Sequence, residues 1–187
     1  MYIRFVLDPF VPHGTNKIIR RVIKDLRNIF EEVLYSVETD ESIVDLYQNK
    51  GLPVSKIFQR KISMSCRGIV IYLLSTKVIW HREPILGLSI PSRCVIGMSH
   101  IPKHDYKEWS SLIWELILHE LGHSLGLIQK NRKNSIVGYL STRHCINNCV
   151  MSEDLLDSVW KKKAKYRYLQ ASPYCEMCLS YLLKKNT

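Results

Sequence analysis

A chain of 187 residues suits one domain, large enough to bury its own core without disulfides. The opening YIRFVL is too short for a signal peptide and runs at once into Asp8 and Pro9; no apolar run reaches membrane-spanning length, so a cytoplasmic protein without membrane contact is expected. The net charge of +10 invites a nucleic-acid reading, but the basic residues gather in RRVIKDLR, KKKAKYR and LLKK, helix-like segments where charge marks a solvated face, and no nucleic-acid motif accompanies them; a nucleic-acid partner is not expected, whereas acidic substrates stay compatible.

In chain order, Tyr2 to Leu7 alternates like a first strand, which Pro9 and Pro12 break. Thr15 to about Leu34 has the period of a long amphipathic helix with Ile18, Ile19, Val22, Ile23, Leu26, Ile29, Phe30 and Val33 as its buried stripe. Ser36 to Pro53 is acidic and turn-rich, with a short helix at Ser42 to Gln48. Phe58 to Ser65 and Gly68 to Ser75 read as strands, the second a continuous apolar run that belongs at the centre of a sheet. Ile85 to Ile90 and Cys94 to Ser99 follow as two more, separated by Pro91. Strand, helix, several strands and a late helix predict an α/β fold with one mixed, twisted sheet and no internal repeat or linker.

That late helix is WSSLIWELILHELGHSLG, from Trp109 to Gly126. Asp105 and Glu108 stand three apart as N-cap and N3, Leu112, Ile113, Leu116, Ile117 and Leu121 recur at helical spacing, and Gly126 offers a left-handed stop. Residues four apart share a helix face. His119 and His123 can therefore present two imidazoles to one zinc ion while Glu120 points at a water on it. The bland alternative is a buried helix with incidental histidines.

Six cysteines could form three disulfides in a secreted chain, but four fall as CINNC and CEMC, spaced like thiolate ligands of a structural zinc in a reducing compartment. Cys66 and Cys94 are left over as small buried residues in strands, and His13, His81, His100 and His104 as ordinary histidines. A catalytic zinc usually takes a third protein ligand, for which the chain offers Gln129, Glu153 or His144.

With Gln129 to Arg143 set aside, the sequence reads HELGHSLGLI, then HCINNCVM, with CEMC downstream; in this it resembles the archaemetzincins of the metzincin clan, whose pattern is HExxHxxGxxHC, a cysteine, x-Met and a later CxxC. The resemblance implies a single zincin-like domain and two zinc ions. His119, His123 and His144 would hold the catalytic ion with Glu120 as general base, Met151 would be the methionine of the turn below it, and Cys145, Cys149, Cys175 and Cys178 would hold the structural ion. Within that domain, residues 1–128 would supply the sheet and active-site helix, and residues 129–187 a loop, the Met-turn and a zinc-bound tail. The chain departs from the pattern in three places. Residues 129–143 intervene before His144, the first cysteine pair is one residue tighter, and Met151 stands further from Cys175; loops absorb such changes at small entropic cost.

The activity implied is hydrolysis of peptide bonds in a peptide or protein substrate. An extended substrate would lie beside an edge strand, for which Ile85 to Ile90 is the choice. The competing reading is a non-catalytic zinc-stabilised module that engages a partner through its basic surface; a retained Glu120 argues against it, since a structural site has no use for a base there.

Overall fold

The computed structural model describes residues 1–48, 51–60, 68–99, 101, 105–127, 149–151 and 172–185. Five strands make the main sheet: β1 (Tyr2–Leu7), β2 (Leu34–Thr39), β4 (Ile69–Leu74), β7 (Gly87–Ile90) and β8 (Arg93–Gly97), in the order β2-β1-β4-β8-β7. Four of them run parallel; β7 folds back antiparallel on β8 and forms the sheet's end. The mixed α/β sheet expected from sequence is present. A smaller sheet joins β3 (Leu52–Pro53), β5 (Val78–Trp80) and β6 (Glu83–Ile85).

The alternation of side chains along each strand divides the core in two. Ile3, Phe5 and Leu7 of β1, with Ile69, Ile71 and Leu73 of β4, face α1 (Thr15–Arg27) and α3 (Tyr106–Ser124). Val6, Val70, Tyr72 and Leu74 face the other way, onto the 3-10 turn Glu41–Leu46, α2 (Val54–Phe58) and the small sheet. All six residues of β4 are buried, the result of cover on both faces and the reason the segment reads as an unbroken apolar run. On the helical side Trp114 of α3 donates its indole N–H to Asp25 of α1 at 2.7 Å, and the Arg21 guanidinium lies 4.1 Å over the same ring, a contact worth about 1 kcal/mol.

Several sequence expectations need correction. The first helix stops at Asn28 rather than near Leu34; Phe30 and Val33 are still buried, so the apolar stripe outlives the helix. The segment from Ser36 contains most of β2, an edge strand whose Leu34, Tyr35 and Val37 are exposed, and the short helix there is a 3-10 turn. Phe58 ends α2 instead of opening a strand, and the remainder of that expected strand, 61–65, lies outside the described residues together with Cys66. Ile85 to Ile90 is two strands, β6 and β7, parted at Leu86. The segment SIVGYL and the basic helix expected around Trp160 to Leu169 also lie outside the described residues. Among the described residues no helix is long and apolar enough to cross a membrane.

Candidate metal centre and active site

Helix α3 starts where the sequence places it. Asp105 caps it by accepting from the backbone N–H groups of Lys107 and Glu108, worth about 1 kcal/mol against alanine. At its far end Gly126 adopts φ 91°, and Leu127 donates its N–H back to the Gly122 carbonyl, so the turn closes in the left-handed form that glycine allows. Between these ends the helix is buried on almost every side from Trp109 to His123 rather than along one stripe, because residues 149–151 and 174–182 cover the face turned away from the sheet.

His119 and His123 converge. Their Nε2 atoms lie 3.1 Å apart and the rings stand nearly perpendicular, at 86°. The His119 ring is fixed from behind: Nδ1 is 2.6 Å from the Val150 carbonyl oxygen, so Nδ1 carries the proton and Nε2 offers its lone pair toward His123. Two nitrogens bound to one tetrahedral zinc at the usual bond length would be about 3.3 Å apart, which the pair matches. The donor set therefore fits a metal ion.

Glu120 is 7 % exposed and sits between α3 and the end strand. The Ser89 hydroxyl is 2.6 Å from its Oε2 and 2.8 Å from its backbone oxygen, a geometry in which one proton serves either acceptor. Burial pushes the carboxyl up to about 7, and the Ser89 hydrogen bond opposes that rise. On the same strand Gly87 has no room for a side chain, since a Cβ there would lie 2.6 Å from Glu120 Oε1. Gly87→Ala is expected to displace the carboxylate by up to an ångström and, for an enzyme that uses this carboxylate, to lower kcat/KM at least tenfold. Because Gly87 is on an end strand, the melting temperature should change little; wild-type kinetics in the variant would show that the contact is idle.

Further latches hold the β7–β8 hairpin to this helix. The Ser124 hydroxyl lies 3.1 Å from the Ile90 carbonyl, and the buried Cys94 thiol lies 3.0 Å from Ser124 Oγ. Burial pushes the Cys94 thiol up to about 12, so it stays protonated, in keeping with the small buried strand residue expected from sequence.

Beneath the histidines, Cys149, Cys175 and Cys178 bring their sulfurs within 4.8 Å of one another, and none of the three is in a disulfide. Thiolates around a tetrahedral zinc would be about 3.8 Å apart, so three sulfurs of the expected set could hold a metal ion. Cys175 and Cys178 flank the first turn of α4 (Glu176–Lys185), and Tyr174 anchors this segment by donating its hydroxyl to the Leu118 carbonyl at 2.7 Å. Cys149 is followed by the two residues that reach α3: Val150 behind His119, and Met151, whose Sδ fills the space where a Cβ of Gly122 would be.

By sequence the chain matches no family model and no curated protein. By structure it superposes on an archaemetzincin from Methanopyrus kandleri with a TM-score of 0.74 and 18% identity, covering 100% of this chain and 95% of that one. The fold is that of the archaemetzincins. An archaemetzincin from Archaeoglobus fulgidus, complexed with malonate, gives 0.66 at 18% identity, and a zinc-dependent peptidase from Methanocorpusculum labreanum gives 0.61 at 17%; each comparison covers 96% of this chain and 99% of the other.

Within this archaemetzincin fold, the residues expected to form two centres fall into two groups. His119, Glu120 and His123 come together on α3, Cys149, Cys175 and Cys178 come together below it, and Met151 lies under Gly122. His144, Cys145 and the alternatives Gln129 and Glu153 lie outside the described residues, as do His100 and His104. Sequence reasoning missed Val150, Ser89 and Gly87. Only Gly87 carried a signal, since a glycine inside an apolar strand marks a close approach.

Proposed function

We propose that the protein is a zinc-dependent metallopeptidase, with His119, His123 and His144 as ligands of a catalytic zinc and Glu120 as general base. The observation that carries this reading is the pair of Nε2 atoms 3.1 Å apart with a buried carboxylate on the very next residue, beside an end strand. The likeness of fold to a zinc-dependent peptidase supports it. Zinc, when bound, supplies a water of lowered pKa and a positive charge for the scissile carbonyl. Glu120 takes that water's proton and passes it to the leaving amine. Ser89 and Gly87 hold the carboxylate in place, and Val150 keeps His119 in the tautomer that leaves Nε2 unprotonated. Among the described residues no strand pairs with the outer edge of β7, so its backbone groups can align an extended substrate. Cys145 joins Cys149, Cys175 and Cys178 around a second, structural zinc, and residues 129–187 form the loop, Met-turn and bound tail of one domain in a soluble, cytoplasmic protein.

The test is metal analysis alongside hydrolysis of a peptide library. Two zinc ions per chain are expected, with a chelator removing the histidine-bound ion first and abolishing cleavage. His144→Ala should lose that ion and keep the other. A protein without zinc, a His144→Ala variant with full occupancy, or a wild type inert across the library would overturn the corresponding part of the reading.

A further inference from the structure

A groove of about 810 Å³ opens beside one end of the main sheet's parallel strands. Its wall includes Phe10 beyond β1, Ser75 beyond β4, and Lys77, Arg82 and Pro84 of the small sheet. It therefore lies outside the carboxyl ends of parallel strands, where open α/β sheets take their ligands. Among the described residues that line it, the two charged ones are cations and none is an acid. Among the described residues neither Lys77 nor Arg82 forms an ion pair. The nearest buried acid behind the wall, Asp8, is already occupied: it accepts from the Phe10 and Ser75 N–H groups at 2.7 and 2.5 Å and from the Tyr47 hydroxyl at 2.5 Å. Its carboxylate oxygens are thus taken up by these three donors, and among the described residues it forms no ion pair with Lys77 or Arg82.

The backbone aims one of these cations. Val78 pairs with Ile85 and Trp80 with Glu83, leaving His81 and Arg82 as a two-residue hairpin turn with φ of 49° and 71°. Non-glycine residues enter that region at a cost of about 1 kcal/mol each, and the turn fixes the direction in which Arg82 leaves the hairpin. Ile79 and Pro84, paired across the two strands, give the groove an apolar floor between Lys77 and Arg82.

A short run of chain links the groove to the candidate active site. Pro84 precedes Gly87 by three residues, at most about 10 Å of extended backbone, and Gly87 touches Glu120. A peptide aligned on β7 would reach Lys77 and Arg82 within a few residues of the scissile bond. We propose that this groove is a specificity subsite for the side-chain carboxylates of an acidic, extended peptide segment. The inference rests on the peptidase reading and names its substrate class. Its cations stand at separate points, Lys77 just before β5 and Arg82 in the turn between β5 and β6, which suits acidic side chains spread along a strand better than a single chain terminus.

The test uses three fluorescein-labelled peptides with one common core: one carrying glutamates on one side of it, one with glutamines in their place, both amidated, and the glutamine peptide with a free C-terminus. Binding is read by anisotropy on zinc-loaded Glu120→Ala protein, and kcat/KM is read on the wild type. The glutamate peptide is expected to bind at least tenfold tighter than its glutamine counterpart. In Lys77→Ala/Arg82→Ala the preference should fall to within twofold, while Lys17→Ala/Lys24→Ala on α1 removes as much charge and should keep it. Equal binding of the amidated peptides, retention of the preference in the groove variant, or an equal gain from the free C-terminus would overturn the subsite. Should the preference and its loss appear in binding while the wild type hydrolyses nothing, the groove stands and the peptidase reading falls; turnover of the glutamate and glutamine peptides at equal kcat/KM, with equal binding, does the reverse.

Discussion

Glu120→Ala is expected to retain zinc at the histidines and to lose at least a hundredfold in peptide hydrolysis, about 2.7 kcal/mol of transition-state stabilisation. In the proposed site the ligand atoms are those of His119 and His123, so removing the carboxylate would take away the base and leave the two nitrogens 3.1 Å apart. The variant should fold as well as the parent, because among the described residues no cation pairs with the buried Glu120 carboxyl and an alanine there relieves a desolvation cost. Glu120→Gln keeps the shape and the Ser89 contact and should be equally inactive, separating proton transfer from packing. Metal content by mass spectrometry and kcat/KM on one peptide are the measurements. Activity within a few fold of wild type in both variants would remove Glu120 from the mechanism.

The second large effect is on stability. Cys175→Ser should release the metal at the cysteines and cost several kcal/mol, seen as a melting temperature lower by ten degrees or more. Structural zinc contributes about 10–16 kcal/mol in domains that have little else. The cost here is smaller because two apolar clusters exist without it. Cys175 is the informative position among the three: it is only partly buried, so serine itself disturbs packing little and the loss reports the metal. His123→Ala provides the contrast, with a melting temperature close to the parent's. Unchanged zinc content and melting in Cys175→Ser would refute the structural site.

The parts of this fold legible in sequence are those whose causes are local. Helix α3 announces itself through Asp105, its apolar run and Gly126, all within about twenty residues. β4 does so because burial on both faces leaves it no polar position. β2 was hidden for the opposite reason: it is held by parallel pairing to β1, its own Leu34, Tyr35 and Val37 face outward, and no period-two pattern points to a core. The first helix was overextended because Phe30 and Val33 keep the helical spacing and remain buried after the helix has ended, with no glycine or proline to mark the stop. At the candidate site the metal-type residues could be named from spacing, whereas their supports could not. Ser89 stands 31 residues from Glu120, and Val150 stands 31 residues from His119. Such pairings are made by the tertiary fold and leave no periodic trace.

Val150 has a consequence for the order in which the molecule is built. Its carbonyl orients His119, while its N–H donates to the Pro173 carbonyl at 3.0 Å; its neighbours place one thiol in the cysteine cluster and one sulfur against Gly122. Pro173 leaves the ribosome about 50 residues after His123, several seconds later at ordinary translation speeds. Through that interval the nascent chain holds both imidazoles but not the strut that keeps Val150 behind one of them. The support that fixes the His119 ring is thereby completed only at a late stage of synthesis, after the last strand of the sheet and helix α3 have already been made.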